Sequence, residues 1–141
     1  MFLAAQPSSA EAPAATAKPA DERVPVSMSS AQALQQLKNM RDFLTATQEI
    51  VGAIARDDFA KVEAAAKVMS YSEEREKKAK MMGGSVPAFV DLAVTFYKSG
   101  DAIAEGARKK DRKAALSALE ATLAHCNGCH AGYRQSVDPN K

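Results

Sequence analysis

From Ser29 onward, apolar residues return at alternating steps of four and three. Ala33, Leu37, Met40, Leu44, Thr47, Val51 and Ile54 follow this spacing, flanked by Leu34, Phe43 and Ile50. The spacing lays a mainly apolar stripe along a helix of about seven turns. Ser29 or Ser30 stands where its cap belongs. Asp57 and Asp58 then supply a short turn and the cap of a second helix, whose stripe is Phe59, Val62, Ala66 and Met69. The charged run Ser72–Lys80 reads as helix end plus connection, or as a continuation of that helix with a solvated face supported by the i,i+4 pairs Glu73–Lys77 and Glu74–Lys78. Gly83 and Gly84 end it. A third helix starts near Ser85, with Pro87 tolerated in its first turn. It carries Val86, Phe89, Ala93, Phe96, Gly100, Ile103 and Ala107 inward and closes at Lys109–Asp111. The fourth presents Leu116, Leu119, Leu123, Cys126, His130 and Tyr133 and ends before Pro139. Four helices with narrow stripes and short connections predict an all-α, up-down-up-down antiparallel four-helix bundle over residues 28–138.

Residues 1–27 break with this pattern. They are rich in Ala, Pro and Ser, and Pro7, Pro13, Pro19 and Pro25 recur through them. Such a segment buries little surface, so a disordered or extended tail is expected. Met1–Ala5 looks like the end of an export signal, with Ser8–Ala10 or Ala10–Ala12 as cleavage sites, although no basic region or full apolar core precedes it.

Composition narrows the field. The 141 residues suffice for one domain with a real core. Alanine-rich sequence with few glycines and few β-branched runs favours helix. With 19 basic and 17 acidic residues the net charge is only +2, which gives nucleic-acid binding no support. No apolar run approaches the length of a membrane span.

The chemistry sits near the C-terminus, at Cys126-Asn127-Gly128-Cys129-His130. Both cysteines of the chain fall in this C-x-x-C-H, the spacing for covalent c-type haem attachment. Each thiol can add to one haem vinyl group, and the adjacent histidine can offer a ring nitrogen to the iron. On a helix Cys126 and Cys129 share a face, with His130 beside it. Three other readings use the same residues. A zinc site would draw on His125, Cys126, Cys129 and His130, but neighbours on one helix diverge by about 100° and no second ligand pair exists elsewhere. A redox-active C-x-x-C belongs beside a βαβ pattern, and the sequence shows no strand-like segment. A plain disulfide leaves the histidine unexplained. Cys126 and His130 also continue the apolar stripe of the last helix, so a porphyrin held there would lie partly inside the bundle and meet another helix on its far face. The inward stripes carry no second histidine and no paired carboxylates. The chain is therefore not expected to be an enzyme.

On Cys126, Cys129, His130, Tyr133 and Arg134, reading C-N-G-C-H-A-G-Y-R, the chain resembles the cytochrome c prime family. These are the class II c-type cytochromes, which include the low-spin c556 proteins. Helix count, length and spacing extend the likeness more weakly over about Ser29–Val137. The resemblance implies one haem c, thioethers at Cys126 and Cys129, and His130 as proximal iron ligand. It places Tyr133 against the haem and Arg134 near His130 or a propionate. It also implies export to the periplasm, a redox partner protein, and in many members homodimers formed through the first two helices.

The sixth iron position separates two functions. A thioether there makes the iron low-spin, suits it to one-electron transfer and raises its potential. A merely crowding apolar side chain leaves it five-coordinate and open to nitric oxide or carbon monoxide. In the resembling family this residue lies on the first helix, about four turns before its end. Counting back from Asp57 reaches Met40, on the stripe and the first choice as ligand. Leu37, Phe43 and Leu44 are the apolar alternatives. Gln36 stands where the family often has an arginine, which puts an inherited propionate contact there in doubt. Met69 reads as core, Met81 and Met82 as part of a connection, and His125 as a surface or haem-edge residue. The basic run Arg108, Lys109, Lys110, Arg112 and Lys113 lies about fifteen residues, or roughly 20 Å, from His130 and reads as a solvated helix junction.

Overall fold

The computed structural model describes residues 20–141. The export-signal expectation falls on residues 1–19 and lies outside them. The elements in order are β1 (Val24–Met28), α1 (Ser30–Ile54), α2 (Phe59–Ala66), α3 (Glu73–Gly83), α4 (Pro87–Arg108), α5 (Arg112–Gly132) and β2 (Tyr133–Val137). The protein is an all-α four-helix bundle whose second member is broken into α2 and α3. Among the described residues no helix is long and apolar enough to cross a membrane.

Local chemistry sets each helix start. Ser29 is the cap of α1: its hydroxyl accepts from Gln32 N at 3.2 Å while Gln32 Oε1 accepts from Ser29 N at 2.8 Å. This reciprocal pair satisfies two backbone donors that no helical turn can reach. The α1–α2 and α4–α5 turns share one design. Asp57 and Lys110 both take the left-handed conformation at φ 56°, and the aspartate that follows each of them caps the next helix. Asp58 accepts from Lys61 N at 3.0 Å and Asp111 from Ala114 N at 2.9 Å. Arg112 ties the two turns together through Asp57, with Nε donating to Oδ1 at 3.0 Å.

The second arm departs from the expected single helix. After α2 a 3-10 turn at Lys67–Met69 leads into Ser70, which is extended at ψ 153°, and Ser72 caps α3 by accepting from Arg75 N. Gly100 of α4 lies so close to the Met69 backbone that a Cβ there would collide with it. The two chains meet backbone to backbone at the break.

Two further expectations are corrected. Residues 24–27 are not tail but belong to β1, which pairs in parallel with β2 in the register Val24↔Tyr133 through Met28↔Val137. Val26 and Met28 turn inward and are buried, with Ser27 between them half-buried, the period-two pattern of a strand. The last helix likewise stops at Gly132 instead of running toward Pro139, so Tyr133 and Arg134 are strand residues.

The core divides in two. The larger part packs Ala46, Ile50, Ala53 and Ile54 of α1 against Val62, Ala65, Ala66 and Met69, and against Ile103, Ala104, Ala107, Ala115 and Leu119. Gly106 lets α5 come close, since a Cβ there would stand 2.7 Å from Ala115 N. A smaller cluster joins Val26, Met28, Ala33, Ala79, Phe89 and Val90 at the other end. The buried face of α1 is therefore rotated from the expected stripe. Ala46, Ile50 and Ala53 are sealed, whereas Leu37, Leu44 and Val51 are 46%, 71% and 52% exposed. Alanines let α1 close on α2, and the leucine edge is left facing the gap toward α5, which α1 barely touches.

Candidate functional site

Two adjoining cavities open along that gap. The first, about 460 Å³, runs beneath the strand pair and is walled by Val26, Met28, Leu37, Met40, Phe89, Cys129, His130 and Tyr133, with Asp21, Arg23 and Arg134 also in its lining. The second, about 380 Å³, lies between α1, α4 and α5 and is lined by Phe43, Leu44, Phe96, Tyr97, Leu123, His125 and Cys126 among others. Gln36, Met40, Phe89, Cys129 and His130 line both.

The last turns of α5 position the motif. Thr122, fully buried one turn before Cys126, bridges to α4 with its hydroxyl 2.9 Å from Ser99 Oγ. Tyr133 N donates to Cys129 O as the chain leaves the helix. Its ring then packs edge-on against Phe89 at 5.6 Å. Phe43, Phe96 and Tyr97 form an aromatic wall in the second cavity, with Phe43 and Phe96 4.9 Å apart. Arg75 covers the far side of that wall, 5.4 Å from the centre of the Tyr97 ring.

The structure brings Met40 of α1 and Cys129 and His130 of α5 onto common walls. Cys126 lines the second cavity only, and Tyr133 and Arg134 the first only. His125, read from sequence as a surface or haem-edge residue, is half-buried on the second cavity. Met69 is core, as expected. Met81 is exposed, and Met82 packs beside the smaller cluster. Sequence reasoning missed Asp21, Arg23 and Val26, from the segment it assigned to the tail, and Met28 directly after it. The alternation Val24-x-Val26-x-Met28 was the available signal.

Both cysteines are thiols and half-buried. Burial pushes both thiols up from their ordinary range, and the neighbouring Cys126 adds to the rise at Cys129. A redox-active dithiol gains its reactivity from a lowered pKa, commonly at a helix N-terminus. This pair has the opposite shift at the opposite end of a helix. Among the described residues no three His, Cys, Asp or Glu side chains gather as a metal-ion cluster.

The strand pair adds charge to the rim of the first cavity. Asp21 takes hydrogen bonds from Arg23 Nε at 2.9 Å and Nη2 at 2.7 Å, which hold its carboxyl down at about 2. Arg134 Nε is enclosed and has no hydrogen-bond partner among the described residues, standing 3.8 Å from Asp21 Oδ2. The walls are thus mostly apolar, with two thiols, an imidazole and a thioether on the helices and guanidinium groups at one rim. A flat apolar cofactor carrying anionic groups on one edge fits this distribution.

Compared with protein-family models, with curated proteins and with solved structures, the chain finds no match in any of the three.

Proposed function

We propose that this chain is a monohaem c-type cytochrome that carries one electron at a time. In this reading Cys126 and Cys129 hold the haem through thioethers, His130 is the proximal ligand and Met40 supplies the sixth. The observation that carries it is the meeting of all four residues on two adjoining, largely apolar cavities, three from one helix and Met40 from the helix across the gap. The orphaned Arg134 Nε supports it further, as a buried donor suited to a carboxylate. When bound, the haem supplies an iron that cycles between ferrous and ferric states.

The chain's own part is to hold, shield and tune. The Phe43–Phe96–Tyr97 wall would keep water from the second cavity with a haem held there, and a dry surround would favour the less charged of its two states. Tyr133 keeps its place by packing on Phe89. A thioether from Met40 raises the potential relative to a histidine in the same position. By the resemblance, the protein works in the periplasm with a partner redox protein.

A second reading, a five-coordinate haem that binds nitric oxide or carbon monoxide, draws on Leu37 and Phe43. Each lies about one turn from Met40 and each lines one of the same cavities. Optical spectra of the haem-matured protein, with and without carbon monoxide, separate the two. The expected spectrum is low-spin and indifferent to the gas, and Met40→Leu should turn it high-spin and gas-sensitive. A wild-type spectrum that already shifts with carbon monoxide selects the gas binder. Absence of covalent haem from protein made with the attachment machinery would sink both.

A further inference from the structure

Arg23 and Arg134 reach one place from opposite ends of the described chain. Arg23 immediately precedes β1, and the β1–β2 register sets Arg134 across from Pro25, two residues further on. Both side chains line the first cavity beside His130. Arg23 spends Nε and Nη2 on Asp21, which leaves Nη1 aimed at the carbonyl oxygen of His130, 3.3 Å away. Arg134 has only the 3.8 Å ion pair to Asp21, and its enclosed Nε donates to nothing. Two guanidiniums and one carboxylate leave one positive charge in excess on the lining of a cavity whose other walls include Val26, Met28, Met40 and Phe89. Guanidinium forks match carboxylates in shape as well as charge.

We propose that Arg23, from the segment before α1, joins Arg134, which the family resemblance already places near His130 or a propionate, in one carboxylate subsite at the rim of this cavity that receives a propionate of the haem. The subsite rests on the cytochrome reading above and adds to it that the segment before α1 is part of the cofactor site. Asp21 holds Arg23 in place and offsets the repulsion between the two arginines. Gln36, which lines both cavities, carries no charge for this task, and the strand pair provides the cation from another direction.

The test uses protein matured with haem labelled with carbon-13 at both propionate carboxyls, read in the ferrous state by NMR and infrared spectroscopy. One of the two carboxyl signals is expected to move in Arg23→Gln and again in Arg134→Gln. Arg23→Lys should return it most of the way, while the visible bands that report axial ligation stay fixed in every variant. Both carboxyl signals unmoved in Arg23→Gln would overturn the subsite while leaving the cytochrome intact. If Arg134→Gln loosens the strand pair, Arg23→Gln and Arg23→Lys still decide, because Arg23 is exposed and precedes the strand. A mass spectrum without attached haem would bring down the cytochrome reading itself, so the two failures are told apart.

Discussion

The two ends of this bundle are built on opposite principles. At the turn end, alanines and glycines let backbones approach, Ile50 and Ile103 are fully sealed, and the two turns repeat one residue pattern tied by Arg112 and Asp57. At the motif end α1 and α5 stand apart, Leu44 is 71% exposed, and the aromatic rings that edge the two cores also line the cavities. The first end supplies the cohesion that a domain of this size needs. The second gives up packing and leaves two adjoining cavities. Open space at one end is tolerated because the other is closed.

The sharpest way to break this contrast is to remove the thiols. Cys126→Ala with Cys129→Ala should abolish covalent haem altogether, read by intact mass. Urea unfolding of the haem-free protein should barely change, since neither side chain is fully buried. A large loss of apoprotein stability would mean the motif end is core after all. Next in size, Ile103→Ala at the turn end should cost about 2–5 kcal/mol in a urea titration, through lost burial and the cavity left behind. Its counterpart at the motif end, Leu44→Ala, should stay within about 0.5 kcal/mol in the haem-free protein. Equal costs would erase the distinction.

The smallest effect concerns pH. Hydrogen bonds from Arg112 hold the Asp57 carboxyl below its ordinary 3.8. A lowered folded-state pKa stabilises at every pH above the unfolded value, and the contribution disappears as pH falls through the folded one. Arg112→Gln should therefore lower the melting temperature slightly at pH 6, with the difference shrinking below about pH 4. Asp21 at the motif end has the same sign, with its contribution surviving down toward its value of about 2. A difference that grew in acid would contradict both assignments.

Much of the turn end is legible from sequence because its rules are local. Asp58 follows a residue that turns the chain and caps α2 as expected, Pro87 opens α4 in its first position, and Asp111, read as part of the close of the third helix, caps α5 by the same rule. The Cys126–His130 spacing is read directly from the chain, and Met40 was reached by counting along α1 from a position that the family resemblance supplied. Three features were not legible, each because a distant partner decides it. The break at Ser70 depends on Gly100 meeting the Met69 backbone. The rotation of α1 depends on small residues winning over leucines for the close contact, which an apolar stripe alone does not reveal. Val24–Met28 is too short to announce a strand among prolines, and its partner follows α5 far along the chain. Arg23 and Asp21 were missed with it.

That parallel pairing also sets an order of events during synthesis. Val24 leaves the ribosome long before Tyr133, so β1 can find β2 only after all of the helices between them have been made. Pairing across so long a loop is the slow, late kind of contact. Until it forms, the wall that Val26 and Met28 give the first cavity is missing beside Cys129 and His130. The strand pair is therefore the last part of that wall to be completed.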